Sequence, residues 1–227
     1  MSLWARITEA LKALQSGEGL SAVFERLRTP PERSVAFAIA VVALGAKMAK
    51  ADGQVTRDEV TAFREVFVIS AQDEAGAARV FNLARQDVAG YEEYAQRIRS
   101  MFEGHPQTLT DLVEGLFHIA MADGFYHPSE NMFLENVARI FDLPERDFTR
   151  LKAQFVPDAE PDPYDVLGVD PDMPQSEIRN AWRTLVRENH PDAMIARGVP
   201  EEALKLAEKR MIAINRAWER ISAEAAD

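Results

Sequence analysis

His190, Pro191 and Asp192 follow one another directly, and Arg179, Arg183 and Arg187 stand four apart in the run that leads up to them. An imidazole can donate or accept a hydrogen bond, whereas an ionised carboxylate only accepts. With a proline between them, the two side chains are held on a rigid turn beside a stripe of guanidinium groups. This combination can dock against a partner and steer it by charge. It cannot by itself make or break bonds: no nucleophile, base and orienting group stand at workable spacing, and no Gly-rich phosphate loop or zinc motif accompanies them. The chain therefore reads as a binding protein and not as an enzyme.

A second set of polar residues comes from an internal repeat. KADGQVTRDEVTAF at 50–63 matches MADGFYHPSENMFL at 121–134, pairing Asp52 with Asp123 and Glu59 with Glu130. If the copies pack about a pseudo-two-fold axis, these four carboxylates converge on a site for a hard divalent cation. Helix capping is the competing reading. Thr56 and Glu59 form a capping box, and in the second copy His127 is the cap, Pro128 the first helical residue and Glu130 the box partner. The spacing also lacks the alternating oxygen ligands of an EF-hand loop. His118 reads as a core histidine.

The elements that must carry these residues are helical. Ile178, Ala181, Trp182, Leu185 and Val186 recur three and four apart, giving one buried helix face with the arginines opposite. The residue before a proline is pushed out of the helical region, so this helix stops at Asn189-His190 and the turn is driven into water. A second amphipathic pattern runs from Pro200 to Ser222, suited to antiparallel packing on the first, and Tyr164, Val166, Leu167 and Val169 close the small core from a short leading helix.

Upstream, VAFAIAVVALGA at 35–46 is the most apolar run, too short to cross a bilayer, which takes about 20 residues, and reads as a buried helix. Segments 75–86, 91–103, 106–122, 130–141 and 144–155 read as further helices. VPDAEPDP at 156–163 packs three prolines and three acids into eight residues and marks a semi-rigid linker. Residues 1–29 form two short amphipathic helices, on Leu3, Trp4, Ile7, Leu11 and Leu14 and on Leu20, Val23, Phe24 and Leu27. Packing on the neighbouring domain is favoured for them over contact with a membrane surface. No signal peptide is evident. No strand alternation stands out, so the fold class is all-α.

The chain has 227 residues, a formal net charge of −11 and no cysteine. That length suits two domains, the negative charge argues against nucleic-acid binding, and disulfides and thiolate metal sites are excluded.

The motifs PYDVLGV at 163–169, EIRNAWRTLVRENHPD at 177–192 and RMIAINRAWERI at 210–221 resemble the J-domain of DnaJ-type co-chaperones over about 162–222. Trp182 and Trp218 stand where that family usually has tyrosines, and Thr184 and Glu188 where it is often basic. The resemblance implies that His190, Pro191 and Asp192, with Arg179, Arg183 and Arg187, bind a DnaK-type chaperone and stimulate its ATP hydrolysis. The repeat region, about 35–153, resembles TerB-like domains, which are all-helical and carry acidic positions like Asp52, Glu59, Asp123 and Glu130.

The expected organisation is amphipathic helices at 1–29, a TerB-like helical bundle at 30–155, the linker at 156–163 and a small helical J-domain at 164–227. This is the order of the DjlA group of co-chaperones. By that resemblance the N-terminal domain chooses an unknown client or a place of action. The location expected is the cytoplasm, with which the absence of cysteine is compatible, or peripheral at the inner face of the membrane; the group's membrane anchoring is not carried over. The group's usual N-terminal transmembrane helix is replaced here by the amphipathic 1–29. The other reading open at this point is a metal-binding or stress-sensing adaptor working through the acidic repeat.

Overall fold

A computed structural model describes residues 3, 5–7, 32–51, 66–67, 78, 90–122, 124–156 and 162–224. All regular elements among them are helical. They are α1 (Glu32–Ala51), α2 (Tyr91–Met101), α3 (Pro106–Ala120), α4 (Pro128–Ile140), α5 (Glu145–Phe155), α6 (Pro163–Leu167), α7 (Gln175–Glu188), α8 (Pro191–Ala196) and α9 (Leu204–Glu224), with a 3-10 turn at Glu201–Ala203 before α9. No helix among the described residues is long and apolar enough to cross a membrane.

α1 is the axis of the larger core. Every residue from Val35 to Leu44 is buried, which is what a helix apolar on all sides requires. α3 crosses it closely at Gly45, where a Cβ would meet Ile119 Cδ1 at 3.0 Å. Phe117 on α3 gathers Tyr126, Phe148 and Phe155 around it, with ring centroids 5.4–5.8 Å apart. Leu3 and Ile7 are buried in the same core. Lys47, also buried, lies with Nζ 5.2 Å from the centre of the Tyr94 ring.

The smaller core is built by α6, α7 and α9 from Val166, Leu167, Ile178, Leu185, Ile214, Ala217 and Ile221. α6 starts early, within the proline-rich stretch: Asp162 Oδ1 accepts the Tyr164 N–H at 2.8 Å and Pro163 is the first helical residue. It ends at Gly168, whose φ of +64° suits glycine, and the Val169 N–H closes the turn on the Tyr164 carbonyl at 3.0 Å. Arg150 of α5 lies under that turn. Burial lowers its pKa, against the opposing pull of Asp147 and Glu188.

The two cores are not separate bodies. Met194, Val199, Ala203, Leu206 and Ala207, all C-terminal to the 156–163 stretch, belong to the larger core. α9 thus enters one core with its first turns and the other with its last.

Candidate functional site

α7 ends at Asn189, whose N–H and side-chain amide both donate to the Leu185 carbonyl, at 2.9 and 2.7 Å. The proline rule places this stop correctly. The segment beyond the stop is not an open loop, because Pro191 is the first residue of a new helix, α8, and His190 is its cap. His190 Nδ1 accepts the Asp192 N–H at 3.2 Å. With Nδ1 engaged as acceptor, the proton of the neutral ring sits on Nε2, which is left to donate outward. The Asp192 carboxylate lies 3.6 Å from the same ring, and the two side chains are 56% and 89% exposed. One outward donor and one outward acceptor are therefore held on a capped turn. Pro191 fixes the backbone between them and is half-buried.

Arg179, Arg183 and Arg187 are all exposed on α7, on the face away from the buried Ile178 and Leu185. The imidazole, the carboxylate and the three exposed guanidinium groups thus lie along one helix and the turn that ends it.

The rear of this turn rests on the N-terminal domain. α8 closes at Gly198 (φ +97°), where a Cβ would lie 2.8 Å from Arg33 Cβ on α1. Asp111 of α3 is fully buried and accepts from Arg197 Nη2 and Arg210 Nη1, both at 2.9 Å, and from Arg197 Nε at 3.3 Å. Arg210 also pairs with Glu114 and donates to Asn189 Oδ1. Thr108 Oγ1 donates to the Arg197 carbonyl at 3.3 Å. Asp111, paired with two arginines and hydrogen-bonded to both, meets the rule for a buried charge, and Glu114 adds an ion pair to Arg210. Asn189 and Arg210 stand inside the quoted motifs, but no motif points to Asp111, Glu114 or Arg197. The available signal is that Asp111 and Glu114, three apart, lie in a helix buried along most of its length, and that Arg210 falls on the buried stripe of α9 with Leu206, Ile214 and Ala217.

Of the acidic repeat, Asp52, Glu59 and Asp123 lie outside the described residues. Glu130 is buried, and its Oε2 accepts the His127 N–H at 2.9 Å, the expected capping-box contact at the start of α4. Among the described residues no three of His, Cys, Asp and Glu gather as metal ligands. His118 is half-buried with its ring edge-on to Phe155.

A capped His-Pro-Asp turn between an arginine-striped helix and a long antiparallel partner helix defines the class as a J-domain protein, and the DnaJ domain family matches residues 162–226. The family described as tellurite resistance protein TerB matches residues 38–153, and the chain belongs to it, with the J-domain at its C-terminal end.

Curated relatives similar to this chain include co-chaperone proteins DjlA. That of Photobacterium profundum is 25% identical over 96% of this chain and 88% of its own length. That of Coxiella burnetii is 27% identical over 77% and 72%. That of Escherichia coli is 23% identical over 97% of each. No solved structure matches the chain. The protein is a DjlA-like J-domain co-chaperone of all-α fold, as the motifs lead one to expect.

Proposed function

We propose that this co-chaperone binds a DnaK-type chaperone through His190, Pro191 and Asp192, with Arg179, Arg183 and Arg187 steering the approach, and stimulates ATP hydrolysis by that chaperone. It performs no chemistry of its own. The observation that carries the reading is the exposure of the His190 ring and the Asp192 carboxylate on a turn whose backbone is capped and whose rear is buried. A hydrogen-bonding pair presented in this way loses little entropy on docking, and the adjacent arginines raise the encounter rate with an acidic surface. The TerB-type domain gives client or site specificity. A cytoplasmic or membrane-peripheral location fits a DnaK-type partner.

Single-turnover ATP hydrolysis by a DnaK-type chaperone from the same organism tests this, with the intact protein and with His190→Gln. The intact protein accelerates hydrolysis and the variant does not. Equal rates with both would sink the proposal.

A further inference from the structure

The segment that presents His190 and Asp192 enters at Glu188-Asn189 and leaves at Arg197. Both ends lead to one carboxylate. At the entry, Arg210 Nη1 donates to Asn189 Oδ1 and, at 2.9 Å, to Asp111 Oδ1. At the exit, Arg197 donates to Asp111 Oδ2 from Nη2 and Nε, and its Nη1 reaches back to the Glu188 carbonyl at 2.6 Å. Asp111 is 0% exposed, Asn189 3% and Arg210 5%, so the charge-assisted bonds on the entry side act without competition from water, while Arg197 on the exit side is partly exposed. They all lie behind the turn, away from the His190 ring and the Asp192 carboxylate, which face solvent.

We infer that Asp111 of the N-terminal domain is a positioning residue for the His190–Asp192 turn. It never meets the chaperone. Through Arg210 and Asn189 on one side and Arg197 on the other, it sets the angle at which the imidazole and the exposed carboxylate are offered. Glu114 supports it by supplying Arg210 with a second anion. The inference rests on the co-chaperone reading for what the turn does, but the brace itself is a property of the fold.

Two measurements on the full chain test it, using Asp111→Asn and Asn189→Ala. The second variant leaves the ion pairs of Asp111 intact, and so keeps the test decisive if the first fails to fold.

The first measurement is amide hydrogen exchange. Met194 and Val199, whose N–H groups donate within the turn to His190 and Met194 carbonyls, exchange about tenfold faster or more in both variants. Val166 and Val169, bonded within the α6 turn, keep their wild-type rates. Equal acceleration in both sets, or none in the turn, overturns the inference, since a merely structural role loosens the two sets alike.

The second is chaperone-stimulated single-turnover hydrolysis. The maximal rate falls roughly tenfold to a hundredfold, while the half-saturating concentration, set by the arginines of α7, stays within about twofold. An unchanged maximal rate overturns the inference. A wild-type chain that stimulates nothing defeats the functional proposal instead, and the exchange experiment then decides the brace alone.

Discussion

Trp182 and Trp218 stack with ring centroids 5.2 Å apart and planes 14° from parallel. They join α7 to α9 and pack against the smaller core, and Trp182 Nε1 keeps a partner, donating to Asn215 Oδ1 at 3.1 Å. Both rings are half-buried, so removing one loses stacking and apolar cover without opening a sealed cavity. Trp218→Ala is expected to cost about 2–3 kcal/mol, and Trp218→Tyr much less. Urea denaturation followed by circular dichroism measures both, and equal midpoints for the alanine variant and wild type would refute the assignment.

Gly198 closes α8 with a φ of +97°, and a Cβ there would approach Arg33 Cβ to 2.8 Å. Two costs add: strain in the left-handed backbone, and a collision that Arg33 can relieve only by shifting its own helix. Gly198→Ala should lose about 2 kcal/mol or more. Gly104→Ala is the control, since its φ is +80° but nothing lies within 4 Å of the added methyl. A larger loss at Gly104 in the same denaturation experiment would contradict the close approach at Gly198.

His105, which precedes α3, has a pKa lowered from the ordinary 6.5 by burial and by the Arg33 charge. The folded protein therefore takes up this proton less readily than the unfolded chain. The associated stability is complete above pH 6.5 and declines as the pH falls below that value, until the folded form protonates as well. His105→Asn, which puts a favourable residue at the N-cap position of α3 without a titrating ring, should flatten this part of the stability–pH curve. Unfolding free energies measured across the acidic range decide it, and an unchanged slope in the variant would remove His105 as the cause.

Arg179, Arg183 and Arg187 are exposed, so their contribution to docking is screened by salt, with a Debye length of about 8 Å at physiological ionic strength and about 3 Å at 1 M. Each Arg→Gln change should raise the half-saturating concentration for chaperone stimulation about twofold to fivefold at low salt. The triple variant should lose most of its salt dependence. A triple variant as salt-sensitive as wild type would place the steering charges elsewhere.

What could be read from the sequence was local. The face of α7, its stop before Pro191 and the capping role of His127 follow from helical spacing and proline sterics within a few residues. The rule that identified His127-Pro128 as a helix start applies equally to His190-Pro191, and it would have given α8 in place of an open loop. The buried ion cluster was out of reach for a different reason. Asp111 meets Arg197 and Arg210, which are 86 and 99 positions away. An acid on an apolar helix face announces that it needs a cation, but with 26 lysines and arginines in the chain the choice depends on the fold. The proline-rich stretch suggested two bodies joined by a spacer. It could not reveal that the chain beyond it returns to the first core, because Met194, Val199 and Leu206 look like any residues of a small helical domain.

α9 contributes Leu206 and Ala207 to one core and Ile214, Ala217 and Ile221 to the other. A compact helical domain at one end of a chain invites treatment as a cassette to be moved between proteins. Here the cassette is cut across the grain of the fold. A fragment starting at residue 162 would carry an apolar strip and two arginines stripped of their acids, and would tend to self-associate. A foreign J-domain grafted in its place would leave Asp111 and Glu114 buried without counter-ions. In this protein a productive exchange has to take α3 along.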